Sequence, residues 1–239
     1  MISIAAAVHV GILVLEKDLG AALIYFVTYL MMLYVATMKL RYLAAGAFAG
    51  TAASVVAYQL FAHVRVRVAA WQDPWSNMNQ GGYQICQSLF AIGTGGLFGM
   101  GLGQGMPKSV PVVESDFIFS AIAEEMGVIF CIFLILIYIS SFIMFVNIAL
   151  KMKKNFYKLC AFGLSVVLIF QVFLSIGGVT KFIPSTGVTL PLISYGGSSI
   201  ITTIVIFSII QGMYVRNRRE EVTTNEEQAA INRKSGKRQ

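Results

Sequence analysis

Charged side chains are absent from long runs of this chain, at residues 1–15, 21–38, 42–62, 128–150, 159–180 and 200–215. Most of these runs approach the ~20 apolar residues that carry an α-helix across a bilayer core, the first and last being shorter. The pattern predicts an all-α, polytopic integral membrane protein of about six spans. The first run lacks the basic leading segment and the small-residue cleavage site of a signal peptide. Connections at 38–41 and 151–158 are short and basic, whereas 63–116 and 177–199 are long. Residues 217–239 are polar and mixed in charge, and read as a mobile tail after a single membrane domain, 1–216.

Composition sharpens this picture. Only 12% of the 239 residues are charged and 57% are hydrophobic, with a mean hydropathy of +0.75; a soluble domain carries roughly twice that charged fraction. A net charge of +7 would suggest nucleic acid in a soluble protein. Here the cations cluster after alternate spans: Lys39 and Arg41, then Lys151, Lys153, Lys154 and Lys158, then Arg216, Arg218 and Arg219. All fall on one side if both termini are cytoplasmic, as the positive-inside tendency requires. No nucleic acid is expected, and the two long loops are expected outside, where function is sought. Cys86, Cys131 and Cys160 have no metal-ligand rhythm, and Cys131 and Cys160 read as packing residues at lipid depth. His9 and His63 lie far apart among apolar residues and read as packing or membrane-edge polarity.

The first outer loop opens "HVRVRVAAWQDPWSN". An extended strand would put Arg65 and Arg67 on one side. They suit lipid headgroups or a pyrophosphate site equally, since guanidinium forks match phosphate oxygens. Trp71 and Trp75 bracket an Asp73-Pro74 turn as aromatic anchors. Glycines at 93, 95, 96, 99, 101, 103 and 105 either offer N–H groups to an anion or let the backbone bend closely against helices. A nucleotide loop is set aside, since its strand and helix context is missing. The second outer loop, "GGVTKFIPSTGVTLPLISYGGSS", is apolar but broken by Pro184, Pro191, Gly196 and Gly197. Irregular backbone at membrane depth needs protein or a water-filled cavity around it, which predicts a re-entrant or cavity-lining segment holding Lys181 as a lone cation.

Carboxylates in "VESDFIFSAIAEEMG" are the most informative chemistry. Asp116 is expected at the membrane edge where the fourth spanning helix starts, with Ser115 as its N-cap. On a helix Asp116, Ser120 and Glu124 would form one polar stripe. Glu124 would then lie about 12 Å below Asp116, too far for the paired carboxylates of a glycoside hydrolase. One carboxylate is left for chemistry, and Glu124 and Glu125 are read as holding helices together or lining a polar cavity.

The runs "SDFIFSAIAEEMG", "GYQICQSLFAIGTGGLFGMGLG" and "GVTLPLISYGGSS", with "DLG" at residues 18–20, resemble the SEDS proteins RodA, FtsW and SpoVE. The resemblance covers most of the chain from Asp18 to Ser199 and implies a peptidoglycan glycosyltransferase. Such an enzyme polymerises lipid II at the outer face of the bacterial cytoplasmic membrane, in elongation, division or sporulation, beside a class B penicillin-binding protein. It also implies ten spans, of which the six here correspond to the last six, with the first four family helices missing. The family's catalytic aspartate falls on Asp116. Its usual threonine is Ser115 here, and its Pro-Glu pair is spread over Pro111 and Glu114. Arg65 and Arg67 match the family's basic pair, Lys108 matches a further basic position, and Ser175 stands where asparagine is common. The candidate substrate-binding set is Arg65, Arg67, Lys108, Gln87, Glu114, Lys181, Ser194 and Ser198.

In the implied reaction a sugar hydroxyl attacks the anomeric carbon of a polyprenyl-pyrophosphate-linked glycan. The leaving group is already anionic, so one base suffices: Asp116 would take the proton, while Arg65, Arg67 and Lys108 stabilise the pyrophosphate. A divalent cation, magnesium or manganese, bridging Asp116 and the pyrophosphate is left open, and the sequence offers no dedicated ligand cluster. Two other readings compete: a lipid-linked precursor transporter, with Glu124, Gln171 and Lys181 lining its cavity, and a non-catalytic binding partner.

Overall fold

The structure is a computed structural model that describes Gly11, Glu16 and residues 18–236, with side chains as far as Thr223 except Gln80. The first apolar run, and His9 within it, lie outside the described residues apart from Gly11. Among the described residues there are α-helices and short 3-10 turns and no strands. The helices are α1 (Leu19–Thr37), α2 (Leu40–Leu60), α3 (Ala62–Gln72), α4 (Gly82–Gly95), α5 (Ile118–Lys151), α6 (Asn155–Val179) and α7 (Gly197–Gly236). Five are long and apolar enough to cross a membrane: α1, α2, α5, α6 and the part of α7 spanning Gly197–Thr223. These match the second to sixth apolar runs.

Helix α6 is the hub, packing against α5, α1 and α7, while α4 packs on α5. Between spanning helices, close packing of small residues replaces the hydrophobic drive of soluble proteins. Gly163 of α6 lies against the Met32 thioether of α1, and Gly20, at the other end of α1, lies against Thr186 and Val188 just beyond α6. The two helices are therefore antiparallel. Lys39 and Arg41 thus share an end of the bundle with the start of α6, where the Arg216 guanidinium of α7 donates to the Tyr157 hydroxyl at 2.6 Å. All three basic clusters gather at that basal end. One core cluster, with Phe117, Phe119, Cys131, Tyr138 and Leu190, fills the opposite half; a second, with Phe145, Leu168, Ile206 and Ile210, fills the basal half. Cys131 is buried in the first cluster and Cys160 packs, partly buried, against the second.

Three expectations about local structure need correction. Residues 62–72 form the helix α3, not a strand, so Arg65 and Arg67 point different ways. Helix α5 begins at Ile118 with Phe117 as an N-cap that offers no side-chain bond; Ser115 is not the cap and Asp116 lies outside the helix. Beyond Val215, α7 continues as helix to Gly236 where a mobile tail was expected, supported by i,i+4 contacts from Arg216 to Glu220 at 3.2 Å and from Asn217 to Glu221 at 3.0 Å.

Helix α5 is broken at Gly127, whose φ of 81° and ψ of 171° are a glycine-only conformation. The break strands backbone groups, and the glycine-rich loop satisfies them. Met100 and Gly101 N–H donate to the Glu124 and Glu125 carbonyls, and Val128 and Ile129 N–H donate to the Gly96 and Leu97 carbonyls. Gly95 and Gly99 thus let the chain approach the α5 backbone closely, where a Cβ would collide with residues 123–127, and Gly105 sits against the Glu124 side chain.

Candidate active site

Asp116 ends a short irregular segment that three contacts hold in place. Val110, Val113 and Phe117 bury their side chains in the core. The Gln84 amide of α4 donates to the Pro111 carbonyl at 2.8 Å, and the Tyr195 N–H of the second loop donates to the Glu114 carbonyl at 2.7 Å. The Asp116 carboxylate is half-buried. Its Oδ1 accepts from the Ser115 hydroxyl at 2.8 Å, and its Oδ2 lies 3.9 Å from where a Cβ on Gly187 would stand.

The second loop is re-entrant, as expected. The Gln171 amide, eight residues or about 12 Å inside the end of α6, donates to the Thr189 carbonyl at 3.0 Å. The Tyr138 hydroxyl in the middle of α5 donates to the Pro191 carbonyl at 2.6 Å. Leu190 and Pro191 are fully buried, and the Thr189 hydroxyl bonds Ser199 at 2.8 Å. This anchoring presents residues 185–188 to three elements at once. Gly20 of α1 packs against Thr186 and Val188, and Asp116 faces Gly187. The Arg67 guanidinium of α3 donates to the Ser185 carbonyl at 3.4 Å. Ser185 and Gly187 are two residues apart, at most about 7 Å of backbone, so a carboxylate and a guanidinium flank one short stretch of loop.

Other candidates sit elsewhere. Arg65 turns back to donate to the Gln59 carbonyl at 2.6 Å. Ser194 is buried and its hydroxyl accepts from the Leu190 N–H at 2.8 Å, so it closes the loop from inside and offers a substrate nothing. Lys181 lies on the α3–α4 side, its carbonyl accepting from the Trp71 indole at 3.1 Å. The Asp73 carboxyl is held below its ordinary value mainly by hydrogen bonds from Ser76, with the Lys181 charge adding to this. Lys108 is exposed on the turn Pro107–Ser109, Ser198 is exposed in the first turn of α7, the Glu114 side chain is exposed, and Gln87 is half-buried on α4. Ser175 is buried in α6.

Glu124 and Glu125 hold the glycine-rich loop. Glu124 accepts from the Met106 N–H at 3.1 Å and Glu125 from the Gly103 N–H at 3.2 Å. The stripe expected from Asp116 through Ser120 to Glu124 does not exist. Ser120 is buried and donates to the Phe117 carbonyl. Nor do Glu124, Gln171 and Lys181 line a common cavity, since each is engaged in a different part of the protein. Gln84, Thr189 and Ser199 escaped the sequence reading; a glutamine one helical turn before Gln87 was the available signal for the first.

One carboxylate with an oxygen turned to the loop, near a guanidinium, equips this end of the bundle to take a proton beside an anionic group. The family profile FTSW_RODA_SPOVE, described as "Cell cycle protein", matches residues 1–219. The "Peptidoglycan glycosyltransferase RodA" of Mycobacterium bovis is 42% identical over 203 residues, which cover 85% of this chain and 43% of that protein. A "Probable peptidoglycan glycosyltransferase FtsW" of a Geobacter species is 34% identical, over 88% of this chain and 58% of that protein. The chain thus spans about half the length of the curated relatives it matches. A solved structure described as "Structural coordination of polymerization and crosslinking by a peptidoglycan synthase complex" superposes with a TM-score of 0.72 at 28% identity, covering 90% of this chain and 60% of that one.

Proposed function

The chain belongs to the FtsW/RodA/SpoVE family of multi-pass membrane proteins, and from that membership we propose that it polymerises lipid II into glycan strands, with Asp116 as the general base. The observation that carries this reading is the Asp116 carboxylate beside the re-entrant segment 185–188, at the end of the bundle opposite the three basic clusters. With those clusters in the cytoplasm, the α7 end that carries Arg216 is cytoplasmic and Asp116 works at the outer face.

In the reaction a sugar hydroxyl of one lipid-linked disaccharide attacks the anomeric carbon of another lipid-linked glycan. The new C–O bond forms as the bond to the polyprenyl pyrophosphate breaks, the electron pair leaving with the pyrophosphate. Asp116 Oδ2 takes the hydroxyl proton and later returns it to water. Arg67, whose guanidinium lies on the Ser185 carbonyl, stabilises the departing pyrophosphate. Among the described residues no three carboxylate, imidazole or thiol groups converge as metal ligands. A divalent cation at Asp116 would draw its other ligands from the substrate's phosphates, as magnesium accepts, and no step above depends on one. A class B penicillin-binding protein is the proposed partner, in keeping with the solved complex that the fold resembles.

The test is polymerisation of lipid II by the purified chain in membranes free of other glycosyltransferases, with and without such a partner. Glycan strands are the expected product. Absence of any polymer under both conditions, with the chain folded, would contradict the reading.

A further inference from the structure

At the basal end, far from Asp116, a groove of about 940 Å³ runs between α5 and α7. Its walls include Met144 and Phe207, its rim Lys151 and Tyr214, and between them Asn147 and Gln211 line it. Asn147 and Gln211 are exposed, and among the described residues neither side chain makes a hydrogen bond. Asn147 is four residues, about 6 Å, inside the Lys151 end of α5, and Gln211 is five residues, about 7.5 Å, inside Arg216. Two unpartnered amides at that depth are costly if they meet only hydrocarbon.

Their depth matches the ester level of a phospholipid whose phosphate sits at the basic rim. Lys151 is the cation among the residues that line the groove; Arg216 lies outside it, paired with Glu220 at 3.2 Å. Basic pockets between spanning helices on the cytoplasmic side suit anionic lipid headgroups. We propose that this groove binds one anionic glycerophospholipid of the basal leaflet, with its phosphate on Lys151, its ester carbonyls on the Asn147 and Gln211 amides, and an acyl chain along Met144 and Phe207. The proposal is independent of the polymerisation reading, because no residue of the outer site takes part.

Native mass spectrometry of the purified chain, incubated with equal phosphatidylglycerol and phosphatidylcholine of matched chains, tests it. The expected result is retention of one phosphatidylglycerol in preference to phosphatidylcholine. Lys151→Gln should weaken that retention about fivefold, the effect of one basic side chain at a membrane surface. Lys151→Arg should keep it, which separates loss of charge from loss of fold. Asn147→Leu combined with Gln211→Leu should lower retention of both lipids. Equal retention of the two lipids, or a Lys151→Gln chain that holds phosphatidylglycerol as well as the parent, overturns the proposal. So does a groove that keeps an added polyprenyl pyrophosphate and excludes phosphatidylglycerol.

Discussion

Asp116 keeps one oxygen on the Ser115 hydroxyl and turns the other to Gly187, two residues from the carbonyl that receives Arg67. That neighbourhood separates the two arginines that the sequence left equivalent. Arg67→Ala should slow polymerisation about a hundredfold, the usual loss for one donor to a developing anion. Arg65→Ala should have little effect, because that guanidinium serves the Gln59 carbonyl. Initial rates with lipid II decide this, and an Arg65 loss as large as the Arg67 loss would contradict it. Ser194→Ala leaves the buried Leu190 N–H without its acceptor, and should lower stability by about 1–3 kcal/mol in a detergent melt. Ser194 looked like a binding residue because a hydroxyl in a Gly- and Pro-rich loop reads the same whether it faces a ligand or closes the loop. Which of these it does depends on contacts that no local pattern encodes.

At the level of elements, apolar run length located the spans among the described residues, since length and hydrophobicity are what a bilayer demands. Two features were hidden. The alternation in residues 63–68 looks like a strand, yet a lone strand at the membrane edge would leave its backbone groups unpaired, whereas α3 pairs them internally. The break in α5 was hidden because a lone glycine in "IAEEMGVIF" is tolerated inside a helix, and what stabilises the break arrives from the glycine loop some 25 residues earlier in the chain. Gly127→Ala meets both a glycine-only conformation and the backbone of residues 97–99. It should cost more than about 2 kcal/mol and sharply reduce the yield of folded protein. Gly93→Ala, in the exposed body of α4 with open space around it, should instead stabilise by about 0.4–1 kcal/mol. Thermal melts of the two variants measure the contrast, and equal behaviour would contradict the packing role assigned to Gly127.

For the whole molecule, charge placement carried information that the fold then made geometric: the basic clusters, separated in sequence, share one end. In intact cells a membrane-impermeant thiol reagent should label Asn79→Cys, exposed on the turn between α3 and α4, at once and Lys154→Cys only after permeabilisation; the reverse order would invert the bundle and remove Asp116 from the outer face. The most direct measurement of the central claim is lipid II polymerisation by Asp116→Asn with lipid II binding followed in parallel. Polymerisation should fall by about 10²–10⁴-fold while binding persists, the loss expected when a positioned base is removed. An Asp116→Asn chain that polymerises at the parent rate would contradict that claim.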